Sequence, residues 1–446
     1  MLKKGRKELL FILLFLVSAF LFACSQGEEG TQTSSGSDNE NRSNDEPIEI
    51  RVATWQTEDS STKLFNIAKE NFEAEHDNVT ITIEAAPYEN YMTKLQTELA
   101  AGNTPDIIQV GEQNFQRYIE KDIIQDLTPL AEGTFDFNSE IIPNVQELMQ
   151  IDGKNPVMSV GAATIGIYYN KKLFDEAGVP YPEDDWTWEE FVEIAKQLTI
   201  KDGEKYIQYG ANLNLGKDWV EPFVVSNGGS YLSEDGSTSV DHLNSEATVE
   251  AFQKISDLYN VHQVAPNPAE LVALKGIDLF ATGQVAMNIN GNWAQADLRN
   301  NPDIEFGVVG LPSMSDGEQT SLMYTSGFGI STQSDYSDVA WEFLYELTGP
   351  NTEAGKLWAN ANLAVTNELL ETSAQAEDEY LSVFVDQLDN AVNSAYYINS
   401  YWGATGDKLL DPVIQEILLD DSIDMKQRLT DLTAQIDREL QQAAEE

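Results

Sequence analysis

Residues 48–55 read IEIRVATW, an alternation of apolar with polar or small side chains that has the period of a half-buried β-strand. A helix-period stretch over 62–75 follows, then VTITIEA at 79–85, a second helical stretch over 88–101, and DIIQV at 106–110. Strands that alternate with helices in this way read as crossover units on a mostly parallel sheet, and hence as an α/β fold. In such sheets ligands bind beyond the carboxyl ends of strands. That rule directs attention to Trp55, just after the first strand, and to Glu112, Gln113 and Asn114, just after the third.

Downstream, Thr187-Trp188-Glu189-Glu190 has the spacing of a capping box. Trp188, Phe191, Val192, Ala195 and Leu198 then share one face of a helix, which makes Trp188 a core residue. Further helices are expected over 246–260, 271–281 and 336–347, and a last one in which Met425, Leu429, Leu432, Ile436 and Leu440 line one side. No internal repeat of solenoid or propeller length is visible.

Upstream, Lys3, Lys4, Arg6 and Lys7 precede an apolar run over 9–22 that is too short for a comfortable permanent span, so residues 1–23 read as an export signal. The run ends Leu21-Phe22-Ala23-Cys24, which resembles a bacterial lipobox, and the chain's one cysteine sits there as the expected site of lipidation. A lipid at Cys24 would replace a membrane span as the anchor. Residues 25–47 contain no aliphatic or aromatic side chain, so they cannot offset their ordering entropy by burial. Residues 24–47 are therefore expected to be a lipid-anchored flexible linker, with a reach of roughly 25 to 30 Å.

The 446 residues carry 75 acidic and 26 basic side chains, a formal charge of −49, so a nucleic acid partner is excluded: phosphate binding needs clustered Lys and Arg. One Cys and three His (His76, His242 and His262) without ligand spacing speak against a metal centre and against Cys- or His-dependent catalysis. Aromatic residues make up 10%, enough to fill cores and still line a ligand site.

Eight segments in order resemble the extracellular solute-binding proteins of ATP-driven sugar importers, the family that includes maltose-binding protein. They are the first strand ending in Trp55, Thr104 to Ile108, Ile167 to Lys171, Thr187 to Phe191, Ser226 to Gly229, Phe280 to Trp293, Ser326 to Ile330, and Trp402 near the last helices. The resemblance implies a two-lobed periplasmic-binding-protein-like fold with a hinge and an interlobe cleft. Lobe 1 is then expected over 48–160 plus 326–372, and lobe 2 over 161–325 plus 373–446. It implies capture of a sugar, an oligosaccharide by preference, with no reaction and no cofactor, and a monomer that hands its ligand to ABC permease subunits at the extracellular face of the cell membrane.

A sugar ring has an apolar face and a rim of hydroxyls, so its site needs flat aromatic surfaces beside planar polar groups. By the resemblance Trp293 and Trp402, the latter beside Tyr401, stack on the ligand; the rival reading for each is core packing. Trp55 either stacks or wedges its loop. Glu112, Gln113 and Asn114 either bind hydroxyls or simply begin a helix, where an acid suits the dipole. Asp218 and Trp219 reach in from the other lobe, and Gly327 lies either against the ligand or at an unusual backbone angle. Tyr324 and Glu58 are lesser candidates. The alternatives to a sugar receptor are a secreted glycoside hydrolase, which needs two carboxylates across a cleft, and the same scaffold binding a non-sugar solute such as a polyamine or a metal complex.

Overall fold

The computed structural model describes residues 46–267, 270–271, 278–314, 319–360, 362–388, 391–420 and 422–445. The export signal, Cys24 and nearly all of the linker lie outside the described residues, as does most of the helix expected over 271–281, of which the described end, 278–281, is a turn and not helical.

Among the described residues eleven strands form two sheets. They are β1 (Ile48–Thr54), β2 (Val79–Ala85), β3 (Ile107–Gly111), β4 (Met158–Ala163), β5 (Ile165–Asn170), β6 (Ile200–Asp202), β7 (Lys205–Asn212), β8 (Val285–Gly291), β9 (Phe306–Val309), β10 (Leu322–Ile330) and β11 (Val392–Asn393). The first sheet runs β11-β10-β3-β1-β2, with β4 also on β10; the second runs β6-β7-β8-β5-β9. β1 pairs in parallel with both β2 and β3, as the alternation of strands and helices predicts. β10 and β11 also run parallel, so parallel pairings are the majority in the first sheet, but antiparallel ones interrupt it and dominate the second. β10 runs antiparallel to β3 and β4, and in the second sheet only β7 with β8 is parallel. The reason is the route of the chain, since β4 in the first sheet and β5 in the second are successive strands separated only by Thr164, and β10 enters the first sheet after a long excursion through the second.

Each sheet has its own core. Ile50, Val52, Ile107, Ile108 and Phe328 are buried against Leu64 and Phe65 of the helix Asp59–Glu75, together with Phe343 and Trp358. Ile165, Ile167, Met287 and Ile289 are buried with Trp188, Phe191, Phe223, Phe252 and Ile414. The expected face of the helix Trp188–Leu198 is buried residue for residue, and its capping box is formed in both directions. The last helix, Met425–Glu445, buries Met425, Leu429, Leu432, Ile436 and Leu440. Among the described residues no helix is long and apolar enough to cross a membrane.

Candidate functional site

Residues that follow β1, β3 and β8 line one cavity of about 780 Å³. On the side of the first sheet, Trp55 packs edge-on against Tyr88 (ring centroids 5.6 Å apart) and Tyr91 (5.4 Å). Its main-chain N–H donates to Gln109 Oε1 at 3.3 Å, which ties the exit of β1 to β3. Tyr88 begins the helix Tyr88–Ala101, directly beyond the carboxyl end of β2, and its hydroxyl accepts from Gln113 Nε2 at 2.7 Å.

Glu112 and Gln113 sit in a 3-10 turn, Glu112–Asn114, that begins where β3 ends. The half-buried Glu112 carboxylate accepts from the main-chain N–H of Thr325 at 3.3 Å. Desolvation pushes Glu112 up to about 8; hydrogen bonds from main-chain amides oppose that rise, and the Asp218 charge adds to it.

On the side of the second sheet, the helix Lys217–Ser226 presents Asp218 and Trp219, the exit of β8 presents Asn288, Asn290 and Trp293, and the helix Ala395–Ile398 presents Tyr396. The Trp219 and Trp293 rings stand 6.3 Å apart with planes inclined at 67°. Asp218 is fixed from three directions. Its carboxylate accepts from the Tyr396 hydroxyl, its carbonyl accepts from the Tyr324 hydroxyl at 2.8 Å, and its neighbour Lys217 lies 3.3 Å away.

Lys217 is only 1% exposed, and its ammonium meets Asp407 and Asp218, with Asp411 at 4.0 Å. Burial opposes that charge, but the three carboxylates outweigh burial and hold the ammonium above its ordinary value. Its stem passes over Gly406, where a Cβ would lie 2.5 Å from the Lys217 Cδ.

Of the residues singled out in the sequence, Trp55, Glu58, Glu112, Gln113, Asp218, Trp219, Trp293 and Tyr324 line this one cavity. Asn114, Gly327, Tyr401 and Trp402 do not. Trp402, expected to stack on a ligand, is fully buried, 5.6 Å from the Tyr231 ring, because the helix Trp402–Leu419 turns it inward with Thr405, Gly406 and Leu410. Tyr401 caps that helix and packs on the second core. Gly327 has neither a ligand-facing position nor a positive φ; β4 occupies its side-chain space, with the Met158 carbonyl 2.5 Å from where a Cβ would be. Asn114 caps the helix Phe115–Glu120.

Sequence reasoning missed Tyr88, although the rule that found Trp55 applies equally to the end of β2. Tyr396 carried no such signal, since a four-residue helix has too little periodicity to reveal a face. The assembled walls offer ring faces, amides and carboxyls, and none of the three histidines is among them. This is the chemistry of holding a polar, ring-bearing solute. Among the described residues no group of three His, Cys, Asp or Glu could hold a metal ion.

Known proteins agree with this architecture. The lactose-binding protein of Rhizobium radiobacter is 24% identical over 308 residues, 67% of this chain and 70% of that one. The galactooligosaccharide-binding protein of Bacillus subtilis is 23% identical over 351 residues, 76% of each. The structure of an ABC substrate-binding protein from Listeria monocytogenes in complex with cycloalternan superposes with a TM-score of 0.76 at 24% identity, covering 88% of this chain and 98% of that one, and so shares the two-lobed α/β fold. The model of the family described as bacterial extracellular solute-binding protein matches residues 54–354. The chain belongs to that family, whose members bind solutes and are not enzymes.

Proposed function

We propose that this protein captures a sugar, an oligosaccharide by preference, between two lobes that close on it, and delivers it to the membrane subunits of an ATP-driven importer. The observation that carries the reading is the pair of aromatic walls, Trp55 with Tyr88 on one side and Trp219 with Trp293 on the other, flanking carboxyls and amides in one cavity. The names of the lactose- and galactooligosaccharide-binding relatives support a saccharide. The lobes run over about 48–160 plus 326–372 and about 161–325 plus 373–446, with the boundaries falling inside β4 and β10, whose remaining residues belong with the first sheet, as do Leu381 and Phe384 by their packing. Trp55, Trp219 and Trp293 stack on rings, while Glu112, Gln113, Asp218 and Tyr324 meet hydroxyls.

A ligand that touches both lobes favours the closed form over the open one, and a ligand that touched one lobe alone would shift nothing. Moving the equilibrium from 1:99 to 99:1 takes about 5.5 kcal/mol of differential affinity. Ring contacts on both sides plus several hydrogen bonds are of that order. Diacylated Cys24 holds the monomer at the extracellular face of the membrane, with residues 25–47 as its tether.

A thermal-shift screen of the full chain against lactose, galactooligosaccharides and monosaccharides tests the reading. A ligand at a hundred times its dissociation constant should add about 2.7 kcal/mol of stability. Release of reducing ends during incubation, or no stabilisation by any saccharide, would overturn it. Cys24→Ser should move the protein from the detergent phase to the aqueous phase in a detergent partition of cells; retention in the detergent phase would sink the anchor.

A further inference from the structure

Two glycines end the strands that feed the cavity, Gly111 in β3 and Gly291 in β8. Neither has a positive φ, so backbone angle does not account for the missing side chain. Space does. A Cβ at Gly291 would fall 2.1 Å from Cζ3, 2.2 Å from Cη2 and 2.4 Å from Cε3 of Trp293. A Cβ at Gly111 would fall 2.3 Å from Gln113 Oε1 and 2.9 Å from its Cδ. In both cases the atoms in the way belong to one side chain, two residues further on, folded back over the glycine.

Which partner would yield is set by how each is held. Gly291 is locked into the sheet: it pairs with Ile165, its carbonyl accepts from the Tyr168 hydroxyl at 2.7 Å, and its N–H donates to Asn290 Oδ1 at 2.9 Å. Trp293 is 40% exposed, and its ring has room to leave.

We infer that Gly291 is a positioning residue that sets the orientation of the Trp293 indole in the cleft, and that Gly111 does the same for Gln113 on the opposite wall. Carbon atoms in contact sit about 3.5 to 4.0 Å apart, so a methyl group at Gly291 requires the six-membered ring to retreat by more than 1 Å (roughly) or to change rotamer. Either movement ends the present relation between Trp293 and Trp219. The consequence for affinity rests on the proposed role of Trp293 as a ligand surface; the consequence for the ring does not.

The test uses the full chain labelled with 5-fluorotryptophan and observed by fluorine NMR without ligand, the Trp293 resonance being assigned by its loss in Trp293→Phe. Gly291→Ala should move the Trp293 resonance, and that of Trp219 with it, while leaving buried Trp188 and Trp402 in place; an unmoved Trp293 resonance overturns the inference. Thermal midpoints complete a cycle, in which any loss caused by Gly291→Ala should vanish when Trp293 is already alanine. An equal loss in both backgrounds also overturns it. Calorimetry with lactose and galactooligosaccharides then separates the two ideas. Gly291→Ala should weaken binding about tenfold, comparable to Trp293→Ala, with no further loss in the double variant. If Trp293→Ala binds as tightly as the parent, the ligand role of Trp293 fails while the NMR result still stands. If Trp293→Ala weakens binding and Gly291→Ala does not, the positioning role alone fails.

Discussion

Replacing Glu221 by Gln exchanges a carboxyl for an amide of the same shape at a site only 3% exposed. Glu221 Oε1 accepts from the main-chain N–H of Ala395 at 2.8 Å, and Oε2 has no hydrogen-bond partner among the described residues. Desolvation pushes the group up to about 8 from its ordinary 4.5; the Ala395 amide pulls it back, and Asp218 adds to the rise. Between those two values the folded protein holds a proton that the unfolded chain has released. The contribution of this group to stability is therefore complete below about pH 4.5 and is lost as the pH rises through about 8. One proton corresponds to about 1.4 kcal/mol per pH unit, so the window sets a ceiling of about 4 to 5 kcal/mol. Local relaxation and water entry reduce such penalties, and a difference of about 1 to 2 kcal/mol is expected. Glutamine does not titrate. Urea unfolding of parent and Glu221→Gln at about pH 4.5 and about pH 8.5 should give near-equal stabilities at the lower pH and a more stable variant at the higher. Because titrating groups remote from Glu221 cancel in the difference, an offset between the two proteins that does not change with pH would refute the reasoning.

Lys217→Met should cost about 2 to 3 kcal/mol at neutral pH, the low end for stripping a buried charge of its partner, because Asp407 is itself largely exposed. Urea unfolding reads that loss, which should shrink in acid as the orphaned carboxylates take up protons. Trp402→Ala should lower stability by about 3 to 5 kcal/mol, as emptying a full aromatic site does, whereas Trp293→Ala should leave the thermal midpoint nearly unchanged and act on sugar affinity. Calorimetric unfolding beside binding titrations separates the two. Thr187→Ala removes the acceptor for the Glu190 N–H and one half of the capping box, and should cost about 1 kcal/mol in chemical unfolding.

Local periodicity served well wherever one element decides its own fate. The strand Val79–Ala85 and the helices Tyr88–Ala101 and Glu246–Asn260 begin and end where the sequence pattern predicts. It could not reveal strand direction, because whether β10 runs with or against β3 depends on the route of the chain between the sheets and not on side-chain alternation. The site divides along the same line. Trp55 and Glu112 follow strand ends, and a strand end is a local event. Trp402 misled because its stacking role came from the resemblance, whereas its own spacing puts it on the buried helix face with Gly406, Leu410, Val413 and Ile417. Tyr396 and the buried Lys217 depend on partners some 180 to 190 residues away in the chain, and no window of sequence brings Asp218 to the one or Asp407 to the other.

Two indole planes that meet at 67° form a corner. A flat, ribbon-like guest can lie flush on Trp219 or on Trp293, but it meets the other edge-on. A guest with a turn between successive rings can cover both at once. With both rings in their proposed role as ligand surfaces, the cleft would gauge how a chain bends from one unit to the next, and two guests built from the same units through different linkages would not fill it equally.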